Sequence, residues 1–209
     1  MTWTEVLQTL PLIAILRGLK PEEAVDIGEA LVSAGFRCLE APLNSPSPLD
    51  SIARLRAALG DRAIVGAGTV LTPDQVAGVA EAGGQVVVSP NTDPAVIRAT
   101  KAAGLISLPG FFTASEAFAA LAAGADGLKL FPAEAGGPPA VKALKAVLPA
   151  GCDVFAVGGI EPSSMAAYRA AGAAGFGIGS SLYAPGRTPD EVHTRAKAFV
   201  EAWAAVAGE

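Results

Sequence analysis

The sequence predicts an α/β protein, a (β/α)8 barrel of the TIM type with an extra N-terminal helix, formed as one domain over residues 1–209. Two observations support this fold class. Short apolar runs alternate with alanine-rich amphipathic stretches, and continuous apolar runs are typical of parallel strands buried on both faces. Eight such pairs in 209 residues fit the small end of the barrel's size range. An open doubly wound sheet is the alternative, but its usual glycine fingerprint is absent from LRGLKPEE (16–23), at the end of the first strand.

The predicted elements follow an N-terminal helix over 2–10. We expect the eight strands at 12–17, 37–42, 63–68, 86–90, 105–110, 127–132, 153–159 and 175–180. We expect the eight helices at 21–34, 47–59, 73–82, 93–103, 114–123, 138–148, 161–171 and 188–207. Helix starts are marked by capping residues and proline, as in LTPDQ (71–75), and helix ends by glycine, as in SAGF (33–36).

Composition argues against several classes of protein and of binding site. The net charge of -5 argues against a general nucleic-acid binder, which usually has a basic face. No apolar stretch is long enough to predict a membrane span, and the N-terminus lacks the features of a secretory signal, so we expect a cytoplasmic protein. Cys38 and Cys152 form no C-x-x-C pair, and His193 is the one histidine, so neither a metal site nor a disulfide framework is predicted.

Two ionisable side chains are predicted inside the barrel, near the C-terminal strand ends where active sites of this fold lie. Alternation along the sixth and second predicted strands points Lys129 and Glu40 inward. Burial lowers the pKa of a lysine, and the neutral amine can form a Schiff base while a carboxylate moves the protons. The alternatives are a lysine whose amine reaches water and a purely structural Glu40–Lys129 ion pair.

The last two predicted strands end in glycine pairs, in AVGGI (156–160) and GIGSS (177–181). The loops after these strands are the common phosphate site of the fold, because glycine lets backbone N–H groups approach phosphate oxygens. The candidate phosphate ligands are therefore Gly158, Gly159, Gly179 and Ser180, unless these glycines only form tight turns. Arg17, at the end of the first strand, can bind a carboxylate or phosphate or form a rim salt bridge.

Motifs along essentially the whole chain resemble those of the class I Schiff-base aldolases of 2-keto-3-deoxy-6-phospho sugar acids, the KDPG/KDPGal aldolase family. The motifs are IAILRG (13–18), EAPLNSP (40–46), GAGTVLTPDQ (66–75), SPN (89–91), PGFFTASEA (109–117), LKLFPAE (128–134), VKALKAVLP (141–149), FAVGGI (155–160) and GIGSSLY (177–183). The resemblance implies a homotrimeric barrel that needs no metal or other cofactor. Its expected ligands are a phosphorylated keto acid and pyruvate.

The same resemblance implies roles for individual residues. Lys129 would form the Schiff base, Glu40 would be the general acid/base, and Thr69 would help to orient the nucleophile. Arg17 would bind the acid end of the substrate, and the two glycine pairs with Ser180 would hold its phosphate.

Two positions indicate a substrate within the family. Gluconate-type members have the motif TLRT after the glutamate and the motif PTGGI at the phosphate turn. This chain has Asn44 in place of the arginine of the first motif and Val157 in place of the threonine of the second. Both match the galactonate type, which implies cleavage of 2-dehydro-3-deoxy-6-phospho-D-galactonate to pyruvate and D-glyceraldehyde 3-phosphate. The gluconate epimer and 4-hydroxy-2-oxoglutarate are alternative substrates. A phosphate-binding isomerase without a covalent step and a non-catalytic binding barrel are alternative functions.

Overall fold

Parallel strands form one nine-stranded sheet in the computed structural model of the chain, which describes residues 1–206. The strands are Leu12–Ile15 (β1), Cys38–Pro42 (β2), Ile64–Gly68 (β3), Val86–Val88 (β4), Ile106–Leu108 (β5), Gly110–Phe111 (β6), Leu128–Leu130 (β7), Val154–Val157 (β8) and Gly175–Ile178 (β9). Their order is β5-β4-β3-β2-β1-β9-β8-β7-β6. Since only Pro109 separates β5 from β6, the two ends of the sheet meet, and the predicted barrel is confirmed.

The fifth predicted strand, 105–110, is divided at Pro109, so the expectation of one continuous strand was wrong there. Proline has no backbone N–H to donate to a ladder. Its carbonyl still accepts a hydrogen bond from the Lys129 N–H at 2.9 Å. On one side of the break β5 pairs with β4, and on the other β6 pairs with β7, with Gly110 opposite Lys129. The break therefore lets one strand segment join both neighbours and close the barrel.

Helices follow most of the strands and cover the outside of the sheet, and one further helix precedes the first strand. They are Trp3–Thr9 (α1), Ala24–Ala34 (α2), Pro48–Leu59 (α3), Pro73–Glu81 (α4), Pro94–Ala102 (α5), Ala114–Ala122 (α6), Ala133–Lys145 (α7), Met165–Ala170 (α8) and Pro189–Val206 (α9), with short 3-10 helices at Gly60–Arg62 and Pro162–Ser164. The last predicted helix extends to residue 207, which lies outside the described residues. None of the helices within 1–206 is long and apolar enough to cross a membrane.

Helix α7 departs from its predicted bounds of 138–148, because it begins five residues earlier, at Ala133. Gly137 interrupts it with a left-handed φ of 63°, and two prolines follow inside the helix. Proline is favoured in the first turn of a helix, so the sequence signal marks the restart after this kink rather than the true beginning. The first turn of α7 contains Glu134, which lies against the Gly158 turn at the rim of the barrel. No helix was predicted at this position.

Alternation along the strands divides the core into two layers. Leu128 and Leu130 of β7 and Leu39 of β2 lie in the cluster between sheet and helices. A smaller cluster fills the barrel interior, and α1 packs against it through Trp3, whose ring centroid lies 5.6 Å from that of Phe155. The inward positions next to those leucines hold Glu40 in β2 and Lys129 in β7, the two candidate catalytic residues.

Candidate active site

Lys129 and Glu40 both point into the barrel interior, as their alternation predicted. Only 8% of Lys129 and 2% of Glu40 is exposed. Both residues line a small internal cavity of about 10 Å³. Its other walls are almost entirely apolar and are formed by Ile13, Ile15, Val88, Leu108, Phe155, Val157 and Gly177. An amine and a carboxyl group therefore share a low-dielectric space, in which both charged forms are costly.

The environment of this pair favours neutral forms. Burial lowers the pKa of Lys129; the nearby Glu40 opposes this effect and Arg17 adds to it. Burial raises the pKa of Glu40 to about 7, although the positive charges of Lys129 and Arg17 act in the opposite direction. Glu40 Oε2 has no hydrogen-bond partner within the described residues, and the pair forms no salt bridge there. The alternative of a plain structural ion pair is therefore not what the structure contains.

Room for the Glu40 carboxylate is made by Gly68, the last residue of β3. A Cβ atom added to Gly68 would lie 2.0 Å from Glu40 Oε2, far inside van der Waals contact. Thr69 follows with a left-handed φ of 56°, which is rare for a β-branched residue and stores strain beside the site. Thr69 is close to Glu40 through Gly68, but it lines neither the internal cavity nor the larger pocket above it.

A pocket of about 290 Å³ extends from Lys129 to the two glycine pairs. Its lining includes most of the predicted site residues, namely Arg17, Lys129, Gly158, Gly159, Gly179 and Ser180, and also Ile15, Phe131, Val157, Ile160, Glu161, Gly177, Ser181, Tyr183, Ala184 and Pro185. The Lys129 Nζ atom lies 4.8 Å from the centre of the Phe131 ring. The tertiary structure thus joins the inward amine to the candidate anion site in one continuous space.

The first glycine pair has the backbone geometry of a tight, open turn. Gly158 and Gly159 have φ values of 107° and 63°, a region that residues with a Cβ rarely adopt. A Cβ on Gly158 would also lie 2.1 Å from Glu134 Oε2, so the turn packs closely under α7. Glu134 was not predicted as a site residue, although it belongs to the motif LKLFPAE, because α7 begins at Ala133, before its predicted start at 138.

Gly177 of the second glycine pair lies within β9, and Gly179 begins the turn that follows this strand. The N–H groups of Leu182 and Tyr183 both donate to the Gly179 carbonyl at 2.9 Å. Ser180 lies at the apex of this turn and borders the pocket. Tyr183 was not singled out from the sequence, although it ends the quoted motif GIGSSLY; its contribution depends on a partner distant in the chain.

Arg17 reaches the same pocket from the end of β1. Its Nη1 atom donates a hydrogen bond to Asn44 Oδ1 at 3.0 Å. Arg17 forms no salt bridge with any carboxylate in the described part of the chain, so the rim salt bridge considered from the sequence is not observed. Asn44 satisfies one donor of the guanidinium and leaves the other donors for an anionic ligand.

Across residues 1–206, no three His, Cys, Asp or Glu side chains are grouped in a way that could hold a metal ion. Cys38 is buried inside the barrel, where burial and the nearby Glu40 raise the pKa of its thiol well above the usual range. The groups that can bind or react with a ligand are therefore the Lys129 amine and Glu40 carboxyl group of the cavity and the Arg17 guanidinium and backbone turns of the pocket.

Comparison with known proteins agrees with this geometry. The 2-dehydro-3-deoxy-6-phosphogalactonate aldolase of Escherichia coli (strain K12) is 50% identical over 194 residues, which cover 93% of this chain and 95% of the relative. A probable enzyme of the same name from Rhizobium meliloti (strain 1021) is 50% identical over 95% of this chain and 93% of its own length. The solved structure titled "Native KDPGal structure" superposes with a TM-score of 0.94 at 48% identity, covering 96% of this chain and 97% of that one. A family model described as "Aldolase: KDPG and KHG aldolase" matches residues 4–193, and this chain belongs to the KDPG and KHG aldolase family.

Proposed function

We propose that this protein is a class I aldolase that cleaves 2-dehydro-3-deoxy-6-phospho-D-galactonate to pyruvate and D-glyceraldehyde 3-phosphate through a Schiff base on Lys129. The observation that carries the proposal is the continuous pocket that joins the buried Lys129 amine to Arg17 and to both glycine pairs. It brings a nucleophile, a guanidinium and two backbone turns to one space, which suits a keto acid with a carboxylate at one end and a phosphate at the other.

The chemistry follows from the state of the amine. Burial favours neutral Lys129, whose lone pair attacks the C2 carbonyl; the tetrahedral carbinolamine then loses water to give an iminium ion. Removal of the C4 hydroxyl proton breaks the C3–C4 bond, releases the aldehyde, and leaves the electron pair in the enamine of pyruvate. Protonation at C3 and hydrolysis of the iminium return the amine and release pyruvate.

Glu40 is proposed as the group that moves these protons. Its pKa of about 7 lies near neutral pH, where a group can both accept and return a proton effectively. Its Oε2 atom has no hydrogen-bond partner in the described residues, and Glu40 lines the cavity that it shares with Lys129. Thr69, strained at the end of β3, is proposed to help to orient the nucleophile.

The two ends of the substrate are assigned by charge and donor geometry. Arg17 presents guanidinium donors for the carboxylate. The phosphate is assigned to the backbone turns at Gly158, Gly159 and Gly179 and to the Ser180 hydroxyl, all of which border the pocket. Gly158 and Gly159 have a left-handed backbone, which can expose successive N–H groups to an anion.

The choice of the galactonate epimer rests on two residues and on the relatives. Arg17 is paired with Asn44, so one arginine remains at the acid end instead of two. Val157 presents an apolar side chain in the pocket at the position of the gluconate-type threonine. The two relatives at 50% identity are both named for the galactonate substrate. Together these features support the galactonate epimer over the gluconate epimer.

We also propose a single barrel domain over residues 1–209 that works as a cytoplasmic homotrimer without a metal or organic cofactor. These proposals rest on the family resemblance and the length of the matched region. Light scattering that gives the mass of one or two chains would contradict the trimer, and cell fractionation tests the location.

Borohydride trapping tests the covalent step. The protein is incubated with pyruvate, reduced, digested and analysed by mass spectrometry, with Lys129→Ala as the test variant and exposed Lys142→Ala as the control. We expect an adduct on the Lys129 peptide in the wild type and the control, and none in Lys129→Ala. Proton exchange without an adduct would indicate the isomerase, and neither reaction would indicate a binding barrel. The values of kcat/KM on the two epimers then test the substrate.

A further inference from the structure

Two loops at the pocket rim, which come from opposite ends of the chain, meet beside the substrate site. The loop after β1, residues 16–23, carries Arg17, and the loop after β9, residues 179–188, carries Gly179 and Ser180. Tyr183 of the second loop is only 2% exposed, and its hydroxyl donates a hydrogen bond to Glu23 Oε1 at 3.0 Å. The same Glu23 oxygen accepts the Lys20 N–H at 3.1 Å, which holds the first loop in its turn.

A second contact joins the same loops close to Arg17. Gly18 has a left-handed φ of 85°, and a Cβ added there would lie 2.7 Å from Pro185 Cγ. The Gly18 N–H donates to the Ser45 hydroxyl at 2.9 Å. Gly18 is therefore packed against the β9 loop on one side and hydrogen-bonded to the β2 loop on the other, directly after the proposed carboxylate ligand.

Tyr183 has two different environments along its side chain. It borders the pocket that contains Arg17 and Ser180, and its hydroxyl is bonded to Glu23 in the neighbouring loop. Burial and the Glu23 carboxylate both raise the pKa of the Tyr183 hydroxyl well above its usual range. The proton therefore stays on the tyrosine, and the contact is a hydrogen bond from a phenol to a carboxylate, which is stronger than one between neutral groups.

We propose that Tyr183 and Glu23 are positioning residues that hold the carboxylate subsite and the phosphate subsite at the separation the substrate needs. The proposal rests on the proposed function, which places the substrate's carboxylate at Arg17 and its phosphate at the Gly179–Ser180 turn. A substrate bound at both ends requires both loops in register, and an error of about 1 Å in such placement can cost about 100-fold in rate. Pyruvate has only the carboxylate end and is insensitive to the separation.

The test compares substrates that differ only in the second anchor. Tyr183→Phe removes the hydroxyl and keeps the ring, and Glu23→Ala removes the acceptor, whereas Glu23→Gln keeps an acceptor oxygen. We measure kcat and KM for the phosphorylated keto acid, for the same acid without its phosphate, and the rate of pyruvate trapping. We expect Tyr183→Phe and Glu23→Ala to lower kcat/KM for the phosphorylated substrate by roughly 10- to 100-fold, because misplacement of the two subsites by up to about 1 Å can cost about 100-fold.

The remaining readouts separate positioning from a general structural role. In Tyr183→Phe and Glu23→Ala, activity on the unphosphorylated acid and pyruvate trapping should change less than about twofold, and Glu23→Gln should recover most of the phosphorylated activity. The double variant Tyr183→Phe/Glu23→Ala should be no worse than either single variant, because both remove the same bond.

Two results would overturn the positioning role. Equal losses on all substrates would indicate a general structural role, and unchanged kinetics in folded Tyr183→Phe and Glu23→Ala would show that the bond has no role. If Tyr183→Phe does not fold, the two Glu23 variants still decide the matter. A wild-type protein that traps no pyruvate would refute the proposed function itself, whereas normal trapping with unselective variants would refute only the positioning of the loops.

Discussion

Gly68→Ala is expected to damage catalysis by displacing the proposed general acid/base. Gly68 ends β3, and its φ is not in the left-handed region, so the backbone accepts alanine without strain. The added Cβ would lie 2.0 Å from Glu40 Oε2, 2.3 Å from Cδ and 2.4 Å from Oε1. The perturbation is therefore one methyl group placed against one carboxylate.

The size of the effect follows from these distances. Cβ contacts below 3.0 Å are essentially not found, so the Glu40 carboxylate must move by at least about 1 Å, a displacement that can lower a catalytic rate about 100-fold. Overpacking of a core by one methyl group costs about 1–3 kcal/mol of unfolding free energy. We therefore expect a folded variant with a lowered melting temperature and a kcat reduced by roughly 100-fold.

Steady-state cleavage of the phosphorylated keto acid and borohydride trapping with pyruvate are measured together. The adduct should still form on Lys129, because the three atoms nearest to the new Cβ all belong to Glu40. The matched control is Gly78→Ala in α4, where the nearest atom to the new Cβ is Leu49 Cδ1 at 3.3 Å on an exposed side chain. The control should keep full activity. A folded Gly68→Ala variant with a kcat within about threefold of wild type would refute the reasoning, since the expected loss is roughly 100-fold.

Three further predictions concern pH and the two ends of the substrate. Burial raises the pKa of Glu40 in the free protein to about 7. The ionised form removes the hydroxyl proton, so kcat/KM for cleavage should rise with pH through about 7. Glu40→Gln should abolish this rise and lower kcat by roughly 10²–10⁴. A Glu40→Gln profile that matches wild type would contradict the assignment. Asn44→Ala removes the hydrogen-bond partner of Arg17 and should raise the KM for pyruvate roughly 3- to 10-fold in steady-state assays of the reverse condensation with D-glyceraldehyde 3-phosphate, whereas an unchanged KM would exclude a role for their hydrogen bond. Gly158→Ala forces a side chain into a left-handed backbone against Glu134, so denaturant unfolding should show a loss of about 1–3 kcal/mol; KM for the phosphorylated substrate should rise more than KM for the unphosphorylated one, and an equal rise would argue against a phosphate turn.

Periodicity explains why much of the barrel could be predicted. Parallel strands buried on both faces are continuously apolar, and side chains alternate between the interior and the helix layer with a period of two. That rule alone placed Lys129 and Glu40 inward, and Leu128 and Leu39 outward, as the structure has them. Glycine pairs at the last two strand ends were equally visible, because tight turns require glycine.

Other features could not be read from local patterns. The division of the fifth strand at Pro109 goes with the pairing of its two halves, β5 with β4 and β6 with β7. The early start of α7 goes with the packing of Glu134 against the Gly158 turn. Both are contacts between segments distant along the chain. Local capping and breaking signals describe only the residues next to them.

Local sequence patterns were enough to predict the order of strands and helices, the inward direction of Lys129 and Glu40, and the resemblance of the motifs to one aldolase family. Three features became visible only in the folded chain: these two groups share a cavity without forming an ion pair, Arg17 is hydrogen-bonded to Asn44, and Tyr183 is hydrogen-bonded to Glu23 across the rim. The physical reason is that side-chain direction follows from the local backbone, whereas pKa values and hydrogen-bond partners depend on burial and on distances set by closure of the whole barrel.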